Sequence, residues 1–255
     1  MRAQEVLRIL QITRPTLCKY VKTGIIKVTV KGKLDTIEGG AFGEYYDTIS
    51  VYFMGGAPEN VSPADDYPSF TTDNECEITL YYVDDGSWEF DANGLWNGYE
   101  LTEIKVIDSG YCGAEGDGTN LNWMIIEDGT LTISGEGTMA SYNIDWNIED
   151  RWGYTDAPWR EYADIVTTLV LEEGITEIGN NAFRGMVNIE GTINLPSTLN
   201  KIGSAAFYAC TGIKGALVIP EGVISIGQSA FVNCYNLNGK LVLPKSITEI
   251  GGKIL

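Results

Sequence analysis

The apolar positions of residues 165–255 recur with a constant period of 24 and without slippage. Three short patterns mark each unit: aliphatic tripeptides that begin at residues 169, 193, 217 and 241, "IG" pairs at 178, 202, 226 and 250, and "AF" pairs at 182, 206 and 230. Such side chains can be buried only if the units stack and each side chain packs on its copies above and below. The pattern therefore predicts a solenoid in which each period forms one coil.

Each coil is expected to contribute one strand through its aliphatic tripeptide. In "LVIPEG", the alternation places Leu217 and Ile219 toward the core and Val218 outward. Neighbouring coils would add their strands to a parallel sheet, and a proline at 196, 220 or 244 would end each strand. We expect the glycine of each "IG" pair to permit the turn that follows.

Several motifs of this region resemble a known family. "GITEIGNNAF", "GVISIGQSAF" and "LPSTLNKIGSAAFYAC" resemble the BspA-type leucine-rich repeat, which occurs in surface and secreted proteins of gut bacteria and some protists. The run from "GYCGAEGDGTNLNW" to "APWREYADIVTT" resembles the segment that precedes the first such repeat. The resemblance covers residues 111–255 and implies adhesion or ligand binding at a cell surface or in the secreted state, without catalytic residues. It divides this region into a leading or cap segment, 111–164, and repeats, 165–255, of which the last is incomplete.

The outward positions of the tripeptide strands are mostly small or apolar, which fits a protein or glycan surface better than a charged ligand. Each of them can also be an ordinary exposed strand residue. The predicted ligand-binding positions are Thr168, Val170, Thr192, Asn194, Ala216, Val218, Lys240 and Val242.

The last repeat supplies its tripeptide and its "IG" pair, but Ile254 and Leu255 occupy the two positions of the next "AF" pair. An uncovered coil would expose an apolar layer and an unpaired strand edge. We therefore expect fraying or self-association through Leu241, Leu243, Ile250 and Leu255.

Residues 34–110 show short apolar alternations that are ended by Gly, Asp or Asn, such as "TISVYFMGG" and "CEITLYYVDDG". This pattern predicts a small sandwich-like unit of four or more antiparallel strands. Trp88, Trp96 and Tyr99 lie among acidic residues, as in a cleft where sugars stack on aromatic rings. In a unit of this size the same rings more often form the core, which is the alternative that we favour.

Three tryptophans of the leading segment, Trp146, Trp152 and Trp159, are expected to close the open end of the repeat core as a cap. A sugar platform is the alternative.

Residues 1–33 contain two short helical patterns joined by a tight turn, with Thr13 as an N-cap and Gly24 as the end of the second helix. "TRPTLCKYVKTG" and the following "IIKVTV" resemble the N-terminal MerR-like helix-turn-helix of resolvase-type transposon recombinases and of excisionases. The resemblance implies that "IIKVTV" begins a wing and that DNA is contacted by Arg14, Thr16, Lys19 and Lys22.

The charge distribution restricts nucleic-acid binding to that first segment. The chain has a formal charge of -18, yet residues 1–33 hold eight of the seventeen Lys and Arg residues and one acidic residue. The remainder has nine basic against thirty-four acidic residues, a charge of -25. No basic residue occurs from Leu34 to Glu103, which excludes phosphate binding there.

The residue types also exclude common catalytic sites. The chain has no histidine and no CxxC pair among its five cysteines, which rules out a zinc site of the usual kind and a histidine-based triad. Cys210 and Cys234 lie one repeat apart and are expected to stack as buried thiols, with a disulfide as the alternative. Nothing places two carboxylates together, so we expect neither an enzyme nor a cofactor, and no apolar run reaches the roughly 18 residues of a membrane span.

The sequence thus predicts a mainly β fold with short helices: a leucine-rich-repeat solenoid that follows a small antiparallel β unit and a helix-turn-helix segment. The first functional hypothesis is a non-catalytic protein for adhesion or ligand binding at a bacterial surface, as a fragment or chimera. The second is a cytoplasmic regulator whose helix-turn-helix binds DNA while the acidic body senses a partner; "MRAQEVLRIL" lacks the order of a signal peptide.

Overall fold

The structure, a computed structural model, describes residues 25–30, 36–37, 48–54, 56–61 and 78–255. The chain divides into two compact units, residues 1–105 and 106–255, and each has its own apolar core. Residues 106–110, which the sequence places in the middle region, belong to the second unit. The two helices predicted within residues 1–24 lie outside the described residues.

The described part of the first unit consists of parallel strands. Its strands are β1 (Ile25–Val30), β2 (Thr36–Ile37), β3 (Thr48–Phe53), β4 (Asn60–Val61), β5 (Ile78–Tyr82) and β6 (Leu101–Glu103). β1, β3, β5 and β6 are neighbours in this order and all pair in parallel, and β2 pairs in parallel with β4. The predicted antiparallel unit is therefore wrong. The strand predicted in "IIKVTV" exists as β1, but it pairs in parallel with β3 rather than in an antiparallel wing hairpin.

The connections explain the parallel arrangement. Neighbouring strands of the larger sheet are joined by the long segments 31–47, 54–77 and 83–100. A hairpin needs only a few residues, whereas a parallel partner requires a crossover of a dozen or more, a length that all three segments exceed. Inward residues then meet in register, so that Val28 pairs with Val51 and Val51 with Leu80, and all three side chains are buried.

The second unit begins with a four-stranded mixed sheet. Its strands are β7 (Val106–Tyr111), β8 (Leu121–Ile126), β9 (Thr130–Gly135) and, after the short strands β10 (Gly137–Thr138), β11 (Ile144–Asp145) and β12 (Tyr154–Thr155), β13 (Thr168–Leu171). β7, β8 and β9 form an antiparallel meander, and β13 joins β9 in parallel. Strict alternation buries Leu121, Trp123 and Ile125 on one face of β8.

A 3₁₀ helix, Pro158–Tyr162, is the one helix among the described residues. It is tied to β7 because the Tyr162 hydroxyl donates a 2.7 Å hydrogen bond to Asp108 Oδ2. This bond to the Asp108 carboxylate raises the pKa of Tyr162 to about 12.

No helix in the described part of the chain is long and apolar enough to cross a membrane.

The repeats contain a parallel sheet with a constant register. The remaining strands are β14 (Ile175–Ile178), β15 (Lys201–Ile202), β16 (Leu217–Val218), β17 (Ser225–Ile226), β18 (Leu241–Val242) and β19 (Glu249–Ile250). β10, β14, β15, β17 and β19 form one sheet in this order. Ile178 pairs with Ile202, Ile202 with Ile226 and Ile226 with Ile250, which confirms the predicted period between neighbouring copies.

The tripeptides do not form the continuous sheet that the sequence predicts. β13 pairs with β9, β16 pairs with β18, and residues 193–195 are not in a strand. The distance between neighbouring backbones accounts for the difference. A Cβ on Gly239, just before β18, would meet the backbone of Ala216, so these two repeats lie close together. A Cβ on Gly215, just before β16, would meet only the side chain of Thr192. Within β16 the predicted alternation is confirmed, since Leu217 and Ile219 are buried and Val218 is exposed.

The glycines of the "IG" pairs serve close packing rather than the turn. A Cβ on Gly203 would lie 2.6 Å from the backbone nitrogen of Asn180, in the preceding coil. The left-handed conformations of the turn fall two residues later, at Asn181, Ala205 and Ser229, with φ of 57°, 52° and 59°. The expectation that these glycines permit the turn is therefore wrong.

A column of stacked aromatic rings runs through the core of the second unit. Trp159, Phe183, Phe207 and Phe231 follow one another at the period of the repeat, and successive ring centroids are 5.4, 5.2 and 5.1 Å apart. All four side chains are buried, and Trp159 Nε1 donates a 2.8 Å hydrogen bond to the carbonyl oxygen of Ala182. The tryptophan thus occupies the phenylalanine position of a preceding coil.

The cysteines of this core are free thiols, as predicted for Cys210 and Cys234 in preference to a disulfide. Cys210 Sγ donates to the carbonyl oxygen of Phe183, and Cys234 Sγ to that of Phe207, each over 3.0 Å. Burial raises the pKa of both thiols, to about 11 for Cys234. These thiols are therefore packing groups and not nucleophiles.

Candidate functional site

The eight predicted ligand-binding positions lie at the surface of the second unit. We call them the outward row, and all of them are exposed: Thr168, Val170, Thr192, Asn194, Ala216, Val218, Lys240 and Val242. Among its apolar members, Val170, Val218 and Val242 have exposed fractions of 37%, 53% and 46%. The row therefore presents branched aliphatic groups to solvent.

Two members of the outward row are held in register by the backbone. Val218 of β16 is the direct partner of Val242 of β18. The amide of Leu217 donates to the carbonyl oxygen of Lys240 over 3.1 Å, and that of Ile219 to Val242 over 3.0 Å. Because the neighbours Leu217 and Ile219 are anchored in the core, the Val218 side chain is held on the outer face of its strand.

A second row of exposed or half-exposed positions was not predicted. It lies on the five-stranded sheet and comprises Glu177, Lys201, Ser225 and Glu249, which are successive partners in the strand register. Lys201 Nζ lies 3.1 Å from Glu177 Oε2, and Ser225 Oγ donates to Glu249 Oε2 over 3.4 Å. In the sequence, this row could have been found as the polar residue that precedes the isoleucine of each "IG" pair. The polar groups of this row largely satisfy one another, which leaves fewer of them for a ligand.

The aromatic residues considered as a sugar cleft belong to the core of the first unit. Trp88, Trp96 and Tyr99 have exposed fractions of 8%, 4% and 7%. Trp88 and Trp96 lie 4.9 Å apart between ring centroids, and both contact Phe53. Their faces are covered by other rings, so the sugar-stacking role is wrong and the favoured alternative, a structural core, is what the structure contains.

The tryptophans of the leading segment do not form one cap. Trp159 is completely buried in the aromatic column, as the cap hypothesis requires. Trp152 is half-buried, and the edge of its ring faces Tyr208 at a centroid distance of 6.4 Å. Trp146 has 73% of its surface exposed. Trp159 therefore continues the ring column of the repeats, and the cap role is wrong for the exposed Trp146.

A cleft of about 590 Å³ lies beside this segment and was not predicted. We call it the arginine cleft. Its polar and aromatic walls are formed by Glu149, Asp150, Arg151, Trp152, Tyr154, Arg160, Glu161 and Asp164, and its apolar floor by Ala163, Gly185 and Val187. Sequence patterns could not reveal it because its walls come from the hairpin of β11 and β12, the 3₁₀ helix and a repeat turn.

Arg160 is the central charge of the arginine cleft. Only 9% of its side chain is exposed, and Nη2 forms an ion pair with Asp150 Oδ2. Its guanidinium carbon lies 5.4 Å from the ring centroid of Tyr154. Arg184, also buried, donates from Nε to the carbonyl oxygen of Trp152 over 2.6 Å and stacks 4.0 Å above Tyr208. The two arginines fix the walls of the cleft.

The residues implied in DNA contact, Arg14, Thr16, Lys19 and Lys22, lie outside the described residues. The predicted self-association surface is described: Leu243, Ile250 and Leu255 are exposed by 38%, 46% and 58%, and Leu241 is half-buried.

Comparison with known proteins identifies the repeats. Residues 161–255 match the family described as BspA type leucine rich repeat region, in six copies. No curated protein matches the chain. Among solved structures, the chain is similar to a leucine-rich repeat protein from Eubacterium ventriosum, with 25% identity, a TM-score of 0.39, and coverage of 56% of this chain and 40% of that one.

A second similar structure is a leucine rich cell surface protein from Faecalibacterium prausnitzii. It has 22% identity and a TM-score of 0.30, and the alignment covers 58% of this chain and 52% of that one. The chain thus spans about half or less of the length of these structures.

Proposed function

We propose that this protein is a non-catalytic ligand-binding repeat protein that acts in adhesion at a bacterial surface. In this proposal, the coils of residues 157–255 stack as a solenoid, and the outward row contacts a protein or glycan ligand. The family match of residues 161–255 supports the class of protein. Binding requires only a fixed surface, which a stacked repeat provides without any chemistry.

One observation carries the proposal: exposed aliphatic side chains lie in register on two neighbouring strands, and the residues on either side of Val218 are buried. Val218 and Val242 are direct partners, while Leu217 and Ile219 anchor the same backbone. Exposed branched side chains lose little further entropy on binding because they are stiff at χ1. The only charge in the outward row is Lys240, which favours a ligand surface that is apolar or neutral.

Self-association through Leu241, Leu243, Ile250 and Leu255 stays a prediction, and a concentration series in light scattering tests it.

Binding of the full chain to a panel of immobilised secreted and cell-surface glycoproteins tests the proposal. We expect at least one glycoprotein to be bound. The double variant V218D and V242D should weaken that binding about tenfold or more, because ligand binding would then bury two carboxylates. Ile224→Asp is the matched control, since Ile224 is 50% exposed but lies off the outward row. Unchanged binding by the double variant, or an equal loss in the control, would contradict the assignment of the row.

A further inference from the structure

The arginine cleft combines features that its structural role does not require. A volume of about 590 Å³ lies within the range of small-molecule sites. It lies within the leading segment and one repeat turn, away from the residues of the outward row. Its walls bring together carboxylates, guanidinium groups and aromatic rings, which are the groups that recognise polar ligands.

An unsatisfied donor points to a ligand. Arg160 is 9% exposed and lines the cleft, and its Nε is buried without a hydrogen-bond partner among the described residues. Its Nη2 is already paired with Asp150, so the guanidinium is anchored on one side only. A buried guanidinium donor without an acceptor is costly, and Nε itself has no exposed surface, so a ligand oxygen is favoured where the rest of the Arg160 side chain lines the cleft.

The other polar groups of the cleft are acceptors, which are hydrated until a ligand displaces their water. Glu149, Glu161 and Asp164 are exposed carboxylates on the rim, and none of them has an ion-pair partner among the described residues. A ligand that satisfies this cleft must therefore accept from Arg160 and donate to carboxylates. A lysine or arginine side chain has no acceptor, and an anion without O–H or N–H groups, such as sulfate or a simple carboxylate, has no donor for the carboxylates.

Hydroxyl groups meet both requirements, because each one donates one hydrogen bond and accepts others. The aromatic walls favour a ligand with an apolar ring face. Trp152 is held in place by two hydrogen bonds, from its amide to Asp150 Oδ1 over 2.8 Å and from Arg184 Nε to its carbonyl oxygen over 2.6 Å. Arg151, which is exposed, lies 4.6 Å from the ring centroid of Trp152, where its guanidinium can donate to a hydroxyl of a bound ring.

We propose that the arginine cleft is a binding site for an uncharged sugar residue. The hydroxyls donate to Glu161, Glu149 or Asp164 and accept from Arg160 and Arg151, and the CH face of the ring contacts the part of the Trp152 ring that Arg151 does not cover. This site is independent of the outward row and extends the proposed function with a second, small-ligand specificity.

Saturation-transfer NMR on the full chain tests the proposal with methyl β-D-glucoside, methyl β-D-galactoside and N-acetyl-D-glucosamine as probes. We expect transfer to at least one probe, with the affinity lowered about fivefold in E161A, which removes one acceptor, and about tenfold in W152A, which removes the ring. E161A alters an exposed side chain and keeps the test valid if W152A fails to fold. E221A is the matched control, an exposed carboxylate outside the cleft, and is expected to bind like the parent.

Three results would overturn the sugar site: no transfer to any probe, parental affinity in E161A and in folded W152A, or stronger binding of Nα-acetyl-lysine methylamide than of every sugar. V218D separates this site from the outward row, because the variant should keep its sugar affinity even where glycoprotein binding is lost. Loss of sugar affinity in V218D would place the sugar on the outward row and refute the cleft.

Discussion

At the scale of single residues, the column of Trp159, Phe183, Phe207 and Phe231 is the most regular feature of the repeats. The spacing of the "AF" pairs predicts three of its members. Trp159 also lies one period before Phe183, but the change from phenylalanine to tryptophan in "APW" hides the continuation. The structure shows that the column extends by one repeat period into the leading segment.

Phe207 lies in the middle of this column, with a ring on either side. We expect Phe207→Ala to lower the free energy of unfolding by about 3–5 kcal/mol, because it removes a fully buried ring and leaves a cavity between two stacked neighbours. Urea denaturation, monitored by circular dichroism, measures the change in the free energy of unfolding. Val218→Ala is the matched control and should alter the free energy by no more than about 0.5 kcal/mol, since Val218 is exposed. A loss below about 1 kcal/mol in Phe207→Ala would show that the column is loosely packed.

At the scale of elements, the sequence predicted strand positions better than strand partners. In the first unit, the alternating segments around β3 and β5 are strands, but their parallel pairing was missed. Alternation reports only which face of a strand is buried, and it is the same in parallel and antiparallel sheets. The long segments that connect these strands are what indicates parallel pairing.

In the repeats, the period predicted the strand register. The structure shows which strand of each repeat takes part in a continuous sheet. The "IG" strands form the unbroken sheet because the following glycine lets successive backbones approach. This close contact requires glycine, because every other residue has a Cβ. The sequence-based prediction assigned these glycines to turns and therefore missed the contact.

Gly203 provides a test of that close contact. We expect Gly203→Ala to destabilise the fold by about 1–3 kcal/mol, because a Cβ would lie 2.6 Å from backbone atoms of residues 179 and 180, and backbone atoms cannot move aside as a side chain can. Thermal unfolding measures the effect. Gly252→Ala is the control, since a Cβ there meets nothing within 4 Å and its φ is not in the left-handed region. Equal stability of the two variants would contradict the packing role.

At the scale of the whole molecule, charge is segregated along the second unit. Residues 111–164 hold eleven acidic and two basic residues, whereas residues 165–255 hold six of each. The repeats are therefore neutral and the leading segment has a formal charge of -9. Sequence composition predicted an acidic body as a whole. The structure adds that the outward row, whose one charge is Lys240, lies on the repeats, whereas most residues of the arginine cleft lie in the acidic segment.

In the proposed function, the outward row is the surface that contacts the ligand. Hydroxyl-radical footprinting with mass spectrometry tests this on the full chain alone and bound to the glycoprotein captured most strongly from the panel. We predict that binding lowers the oxidation of Val170, Val218 and Val242, while Ile224, exposed away from the row, keeps its rate. Protection at Ile224 with unchanged oxidation of the three valines would contradict the claim.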